Sequence, residues 1–358
     1  MTVSVEDTDV VVIGAGQAGL SSAYFLRRFG FEPVVLDAYD GPGGAWRHRS
    51  PSLTMEKVHG IFDLPGARRD PAADGRRPAA EVVPVYYAAY EREVGLDVLR
   101  PVLVRAVRPG PGERLAVESD AGGWAARAVV NATGTWTRPY WPYYPGRDVF
   151  AGRQLHYAAY RGPEEFAGRR VVVVGGGASA MHVLSEIADA AAATTWVTRR
   201  PPVLEEEFFD EEARRAAVAK VEERVRAGLP PQSVVSVTGL RYSVALREAL
   251  AKGALHRLPM FDRLVPDGVS WASGEHVPAD TVVWATGFRS ALDHLAPLRL
   301  REPQGGIRVD GTQVIREPRL QLAGYGPAAS TIGANRAGRE AARNVRAYLA
   351  AQPSRPAA

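Results

Sequence analysis

The stretch Asp9-Val-Val-Val-Ile-Gly-Ala-Gly-Gln-Ala-Gly19 decides the fold. Its first half is a β-branched apolar run, which predicts a buried strand, and the apolar spacing from Gln17 to Phe29 predicts a helix. A second apolar run, residues 33–36, follows that helix. Strand, tight turn, helix and strand together make a βαβ unit, so the chain is expected to begin with an α/β domain around a parallel sheet.

The glycines between this strand and helix match the GxGxxG pattern of dinucleotide-binding loops. Gly14 permits the tight turn, Gly16 lets a pyrophosphate approach the backbone, and Gly19 lets the helix pack closely on the strand. The helix N-terminus adds free N–H groups and a partial positive charge. Asp37 follows the next strand, where a carboxylate meets ribose hydroxyls. We therefore predict a dinucleotide site here.

A second loop of the same kind lies in the middle of the chain. The apolar run 171–174 leads into Gly175-Gly-Gly-Ala-Ser-Ala180, in which alanine takes the place of the third glycine, as this fingerprint allows. The strand after the next helix ends at Arg199 and Arg200 instead of a carboxylate. Guanidinium groups can bind a 2′-phosphate through charge-assisted hydrogen bonds, which favours NADPH over NADH. The alternative is that both arginines are solvated surface charges.

Two nucleotide units in one chain suggest that hydride passes between two bound cofactors, and a flavin is the natural acceptor. The segment Gly43-Gly-Ala-Trp46 lies where a loop can run beside the flavin ring, although Trp46 fits a core position equally well. Residues 129–134 and 282–287 each form an apolar strand that ends in Ala-Thr-Gly. Such an ending lets the chain turn sharply and pass close to a cofactor or to another backbone.

These features resemble the two-dinucleotide-binding flavoproteins, in which Ala-Thr-Gly strands lie near the crossings between the FAD and NADPH domains. More narrowly, Phe150-Ala-Gly-Arg-Gln-Leu-His-Tyr-Ala-Ala-Tyr160 matches the FxGxxxHxxxY fingerprint of the flavin-containing monooxygenases at every fixed position. The resemblance implies an α/β fold of two Rossmann-like domains, the second inserted in the first. The expected FAD domain comprises 1–150 and 288–358, the NADPH domain 165–287, and the interdomain linker 150–164.

The glycine loops and the resemblance together predict cofactor contacts but name no catalytic side chain and no metal site. The residues expected to contact FAD or NADPH are Gly14, Gly16, Gln17, Ala18, Gly19, Asp37, Gly44, Trp46, Thr54, Met55, Val104, Ala132, Thr133, Gly134, Gly175, Gly177, Ala178, Ser179, Ala180, Arg199, Arg200, Ala285, Thr286, Gly287, Gly324, Tyr325 and Asn335. In the linker, His156 and Tyr160 are expected to hold the two domains together. Residues 331–335 are expected to start a helix, either near the flavin's pyrimidine edge or simply capped.

The resemblance also implies a reaction. NADPH would reduce FAD, the reduced flavin would form a C4a-(hydro)peroxide with O₂, and one oxygen atom would pass to a nitrogen or sulfur centre of a small molecule. Tyr160, where the Baeyer–Villiger branch has tryptophan, favours N- and S-oxidation over Baeyer–Villiger chemistry. The alternatives are a reductase or oxidase that inserts no oxygen, and a nucleotide-sensing protein without turnover.

The amino-acid composition argues against several other classes of protein and of functional site. The 358 residues include no cysteine, which excludes disulfides, thiolate metal sites and the dithiol of a disulfide reductase. The net charge of +4 is dispersed over arginines, which argues against a nucleic-acid partner. Apolar runs fall short of the roughly 20 residues of a membrane span, and an acidic N-terminal segment does not suit a secretory signal. A cytoplasmic protein is expected; its substrate and oligomeric state stay open.

Overall fold

The computed structural model describes residues 5–58, 61, 63–68, 74–204, 211–232, 239–240, 242–329 and 331–352. In chain order its elements are β1 (Val5–Ile13), α1 (Gln17–Arg28), β2 (Val34–Leu36), α2 (Ala79–Glu93), β3 (Val98–Leu99), β4 (Val104–Pro109), β5 (Leu115–Ser119), β6 (Gly123–Asn131), β7 (Arg153–His156), β8 (Arg170–Val174), α3 (Ala178–Ile187), β9 (Ala193–Thr198), α4 (Glu211–Arg226), α5 (Val244–Ala251), β10 (Arg257–Pro259), β11 (Arg263–Val265), β12 (Gly268–Ser270), β13 (His276–Pro278), β14 (Thr281–Trp284), β15 (Val309–Asp310), β16 (Gln313–Val314), β17 (Leu320–Leu322) and α6 (Thr331–Ala351).

The first sheet has the strand order β15-β16-β17-β6-β1-β2-β3, and the hairpin β4–β5 pairs with β6. Strands β17, β6, β1, β2 and β3 run parallel. Ile13 at the end of β1 lies opposite both Leu36 and Asn131, so the carboxyl ends of these strands meet at one edge. Ligands of open parallel sheets bind at this edge, where the first glycine loop begins.

The side chains of β1 alternate between two cores, as the period of a strand requires. Val10 and Val12 pack with the apolar faces of α1 and α6, whereas Val11 and Ile13 pack with the residues of β4–β6 and the C-terminal strands. The second half of β1, residues 10–13, is therefore buried on both faces, which is why it reads as a continuous apolar run.

The second sheet is parallel throughout, in the order β10-β9-β8-β14-β7. Helices α3 and α5 cover one face, and the antiparallel strands β11–β13 contribute apolar side chains to the other. Val174, the last residue of β8, lies opposite Trp284 and Val197. The second glycine loop therefore starts at the carboxyl edge of its own sheet, as the first one does.

The predicted fold class, two Rossmann-like α/β units, is confirmed by these sheets and by the solved structures described below. Three local details differ from what the sequence indicates. The alternation of apolar and polar residues over 98–130 predicts hairpins, but β3 extends the parallel sheet. Strands β11–β13 were not predicted, although Asp267-Gly268 is a hairpin turn signal. Residues 153–156 of the predicted linker form the edge strand β7. The sequence also predicts an acidic helical insertion near residues 205–226, of which 205–210 lie outside the described residues.

The chain crosses between the two units twice, and the two connections run side by side. The Tyr140 N–H donates to Gly287 O, Arg289 N–H to Arg138 O, and Ala291 N–H to Gly134 O. We refer to this pair of segments, residues 134–140 and 286–291, as the crossing ribbon. None of the described helices is long and apolar enough to span a membrane.

Candidate functional site

In the first glycine loop, two glycines are needed for close packing and a third faces open space. Gly14 has φ +98°, and a Cβ there would lie 2.6 Å from the carbonyl oxygen of Ala132. A Cβ at Gly19 would collide with the carbonyl oxygen of Gly14. A Cβ at Gly16 would meet nothing within 4 Å. Gly14 and Gly19 are therefore required by the fold, and Gly16 leaves the backbone open to a ligand.

The second loop repeats this arrangement and explains the paired Ala-Thr-Gly segments. The Ala132 N–H donates to Ile13 O, and the Ala285 N–H donates to Val174 O, each at 2.8 Å. In both units the carbonyl of that alanine packs against the first glycine of the loop, because a Cβ at Gly175 would collide with Ala285 O. Each Ala-Thr-Gly strand end thus closes a nucleotide loop from the side.

A cleft of about 640 Å³ opens beside the first loop. Its volume falls in the range of small-molecule and cofactor sites. A Cβ at Gly44, which has φ +52°, would lie 3.0 Å from the Cα of Gly16, so the loop 43–46 packs directly on the glycine loop. The predicted cofactor residues that line this cleft are Gly14, Gly16, Gln17, Ala18, Asp37, Gly44, Trp46, Val104, Ala132, Thr133, Gly134 and Gly324.

Asp37 supplies an acidic group to the cleft. It is buried, its Oδ1 accepts the Tyr39 N–H at 3.2 Å, and its Oδ2 lies 3.5 Å from Arg100 Nε with no hydrogen-bond partner among the described residues. Burial raises the pKa of Asp37, although Tyr39 and Arg100 oppose that shift. A buried carboxylate oxygen without a partner is costly, and ribose hydroxyls would satisfy it.

Other predicted contacts of the first unit lie outside the cleft lining. Tyr325 is buried in the core, where its hydroxyl accepts the Ile307 N–H. Asn335 donates to Asp63 O and accepts from Gln17, so it ties α6 to α1. Thr54 and Met55 lie on the neighbouring loop, and Thr54 Oγ1 is buried without a described partner. The start of α6 does reach the cleft, through Thr331 and Ala334.

The predicted contacts of the second unit gather at the start of α3. Gly177 caps this helix, and a Cβ there would meet nothing within 4 Å. Ala178, Ser179 and Ala180 form the first helical turn. The adjacent strand end holds Ala285, Thr286 and Gly287, with the Thr286 hydroxyl donating to Tyr140 O at 2.5 Å. Arg199 and Arg200 follow β9 and are exposed.

The FxGxxxHxxxY residues support the second unit and its crossing. His156 is buried, and its Nδ1 accepts the Ala158 N–H, so Nε2 carries the proton that it donates to Gly287 O at 3.0 Å. Burial lowers the pKa of His156, which keeps the ring neutral. The Tyr160 hydroxyl donates to Glu186 on α3 at 2.7 Å. These contacts fix the crossing ribbon to the second sheet, and neither side chain lines the cleft.

The side chains of the cleft lining that the sequence analysis missed include Arg49, Trp136 and His294. The Arg49 guanidinium lies 4.3 Å from the ring centroid of Trp136 and 5.3 Å from that of Trp46. Arg49 could have been noticed, because it follows the Gly-Gly-Ala-Trp segment, and so could Trp136, two residues after Gly134. Nothing in the sequence marks His294, whose pKa is lowered to about 4 by burial.

A buried polar cluster joins the first unit to α3. Glu186 accepts hydrogen bonds from His182 Nε2 at 3.0 Å and from Tyr160, and Lys57 Nζ of the first unit lies 3.3 Å from the same carboxylate. Burial opposes ionisation of Glu186, but hydrogen bonds from His182, Ser52 and Tyr160 lower its pKa to about 2. The charged carboxylate therefore holds both units in place.

Replacing Glu186 with glutamine is expected to destabilise the protein by about 3 kcal/mol at neutral pH, because each unit of pKa shift corresponds to about 1.4 kcal/mol. A pKa that is depressed in the folded state stabilises it above the ordinary value of 4.5, and this contribution is lost as the pH falls toward about 2. Urea unfolding of both proteins at several pH values measures the difference.

The stability difference should shrink as the pH falls below 4.5. Glu118→Gln is the matched control, since that carboxylate pairs with Arg108 on the exposed surface. Its replacement is expected to change the free energy of unfolding by less than about 1 kcal/mol. A difference for Glu186→Gln that is the same at pH 3.5 and pH 7 would contradict the assigned pKa.

Residues 11–227 match the family model described as pyridine nucleotide-disulphide oxidoreductase. A solved double mutant of a flavin monooxygenase from Stenotrophomonas maltophilia is 40% identical, with a TM-score of 0.83, over 96% of this chain and 100% of its own. An uncharacterized CzcO-like oxidoreductase from Geobacillus kaustophilus is 24% identical over 79% of this chain and 81% of its own length. Indole-3-pyruvate monooxygenase YUCCA1 from Oryza sativa subsp. japonica is 31% identical over 48% of this chain, which spans 43% of that relative.

A more distant structure, OTEMO in complex with FAD and NADP, is 16% identical with a TM-score of 0.65 over 97% of this chain and 86% of its own, and shares the fold. The family model covers more than half of the chain, and the Stenotrophomonas enzyme is matched along its whole length. The model's description mentions disulphide chemistry, but this chain has no cysteine with which to perform it. The chain therefore belongs to the pyridine nucleotide-disulphide oxidoreductase family and, as the sequence analysis expected, to its flavin-containing monooxygenases, and it is an oxidoreductase.

Proposed function

We propose that this protein is an FAD- and NADPH-dependent monooxygenase that oxygenates a nitrogen or sulfur centre of a small molecule. The observation that carries the proposal is the repeated nucleotide loop: two glycine loops, each closed by an Ala-Thr-Gly strand end, lie on either side of the crossing ribbon. In the overall reaction, NADPH supplies two electrons, one oxygen atom of O₂ enters the substrate, and the other leaves as water.

The residues of the first cleft fit the adenine-dinucleotide half of FAD. Gly16 leaves room for the pyrophosphate at the N-terminus of α1, and Asp37 Oδ2, which has Arg100 nearby but no hydrogen-bond partner among the described residues, can accept from ribose hydroxyls. When bound, FAD supplies the redox chemistry: it accepts hydride from NADPH and then reacts with O₂. Around it, Trp46 and Trp136 present apolar rings that exclude water from the same cleft.

The second loop fits NADPH for the same reasons. Gly177 leaves the N-terminus of α3 open to a pyrophosphate, and Arg199 and Arg200 stand exposed at the end of β9, where a 2′-phosphate would lie. His156 stabilises this arrangement, because its Nε2–H donates a hydrogen bond to Gly287 O in the crossing ribbon. Its neutral ring is a positioning group in this proposal.

The test begins with the absorbance spectrum of the purified protein. We expect a bound or readily taken up flavin that anaerobic NADPH bleaches. In air with ¹⁸O₂, NADPH consumption against a panel of amines, thioethers and ketones should yield a product that carries one labelled oxygen atom. Colourless protein that takes up no flavin would refute the proposal.

Three other outcomes would redirect the proposal. If NADPH oxidation yields an equal amount of H₂O₂ with every substrate, the protein is an oxidase or reductase. Labelled esters or lactones from the ketones alone would assign it to Baeyer–Villiger oxygenation. Bound flavin that NADPH does not bleach would indicate a nucleotide-sensing protein without turnover.

A further inference from the structure

Arg49 lies at the junction of the two nucleotide units and has no anionic partner within the part of the chain that the structure describes. It lines the cleft of the first unit between Trp46 and Trp136, and its buried Nε has no hydrogen-bond partner there. No carboxylate among the described residues forms an ion pair with it. Burial lowers the pKa of Arg49, with only Tyr157 opposing the shift. Arg49 as a whole is half-buried, but a charged group with a desolvated, unpartnered Nε is costly unless an anion compensates it.

The group beside Arg49 is the hydroxyl of Tyr157, which belongs to the second unit. Tyr157 is 5% exposed, and its hydroxyl lies 3.1 Å from His182 Nδ1. It also interacts with the side chain of Ser179, in the first turn of α3. One phenol therefore contacts a cation of the flavin cleft and the helix start where NADPH is proposed to bind.

A chain of side-chain hydrogen bonds leads from α3 to Arg49. His182 Nε2 lies 3.0 Å from the carboxylate of the ionised Glu186, and His182 Nδ1 lies 3.1 Å from the Tyr157 hydroxyl, which in turn contacts Arg49. Glu186 and His182 thereby fix the orientation of Tyr157, and Tyr157 fixes the guanidinium.

We propose that Tyr157 is a positioning residue that holds Arg49 at this junction, where Arg49 contacts an anionic group of the bound cofactors. The inference rests on the proposed function, since it takes FAD and NADPH as the ligands. The anion has two possible sources, a phosphate of the nicotinamide dinucleotide or the negatively charged ring of reduced flavin. A guanidinium stabilises either one, and the two sources have different measurable consequences.

The experiment measures two quantities on purified holoprotein: the midpoint potential of the bound flavin without nucleotide, and the dissociation constant of NADP⁺ for the oxidised protein. If Arg49 contacts the reduced ring, Arg49→Gln should lower the reduced-to-oxidised ratio at a fixed potential about tenfold, equivalent to ~30 mV for a two-electron couple. If it contacts a phosphate, the same variant should weaken NADP⁺ binding about tenfold and leave the potential unchanged.

Tyr157→Phe should change the same quantity in the same direction by about threefold, since the guanidinium remains but loses its support. Arg49→Lys should restore part of the effect, because it returns the charge without the planar group. Two matched controls remove comparable groups elsewhere. Tyr90→Phe removes a buried hydroxyl that donates to Pro65 O, and Arg114→Gln removes a guanidinium that donates to Thr8 O and Ala125 O. Both controls should leave potential and affinity unchanged.

Arg49→Gln with wild-type potential and wild-type NADP⁺ affinity would overturn the assignment of Arg49. Tyr157→Phe with both values unchanged, in protein that unfolds at the wild-type temperature, would overturn the positioning role. Wild-type protein that takes up neither flavin nor NADP⁺ would instead refute the proposed function, and the inference with it.

Discussion

Gly14→Ala is expected to destabilise the apoprotein by about 2–5 kcal/mol, whereas Gly16→Ala should leave its stability unchanged and weaken FAD binding alone. At Gly14 the positive φ costs a non-glycine residue about 1–2 kcal/mol, and the contact of the new Cβ with the Ala132 carbonyl adds about 1–3 kcal/mol. At Gly16 nothing lies within 4 Å of the Cβ, so only a ligand would meet it. Two glycines of one motif thus have different roles: Gly14 is needed for packing, and Gly16 for cofactor binding.

Urea unfolding of both apoproteins and fluorescence titration with FAD separate these effects. Gly16→Ala serves as the control for Gly14→Ala, since both add one methyl group to the same loop. The second loop offers a repeat of the experiment, with Gly175→Ala expected to destabilise the apoprotein and Gly177→Ala expected to weaken NADP⁺ binding. Equal apoprotein stability for Gly14→Ala and wild type would contradict the packing described for the loop.

The double variant Arg199→Ala with Arg200→Ala should lower kcat/KM for NADPH by about 10- to 100-fold and leave the value for NADH nearly unchanged. A charge-assisted hydrogen bond contributes about 1.5–3 kcal/mol, and only NADPH has the 2′-phosphate that would receive it. Anaerobic flavin reduction, followed by absorbance at a series of nucleotide concentrations, measures both values.

The control must remove the same charge from another surface. Arg108 and Arg316 are also exposed, and each pairs with a glutamate on the first unit. Replacing both with alanine lowers the net charge equally, so general attraction of the anionic nucleotide would fall to the same extent. An equal loss with NADPH and NADH in the Arg199 and Arg200 variant would show that these arginines act by charge alone, and no loss with either nucleotide would show that they do not act at all.

The sequence predicted those parts of the molecule that depend on local backbone rules. The apolar run 10–13, the glycines after it and Asp37 all obey spacings of a few residues, and so the βαβ unit could be recognised before the structure was known. The Ala-Thr-Gly strand ends could also be recognised from the sequence. The packing of each alanine carbonyl against Gly14 or Gly175 could be seen only in the structure.

Long-range contacts could not be derived in this way. Arg49 and Tyr157 are far apart in the chain and meet because β7 joins the second sheet, a pairing that spans residues 153–156 and 281–284. His294 is brought to Asn131 by the return of the chain through the crossing ribbon. Tyr325 makes a further contact that the sequence did not indicate: its hydroxyl accepts the Ile307 N–H in the core.

The crossing ribbon limits how the two halves of the protein can move. The two segments of the ribbon are joined by backbone hydrogen bonds, from Tyr140 to Gly287, Arg289 to Arg138 and Ala291 to Gly134. Separating the two units would break these hydrogen bonds, whereas a rotation about the paired segments would preserve them. The crossing ribbon therefore favours rotation of one unit against the other over their separation.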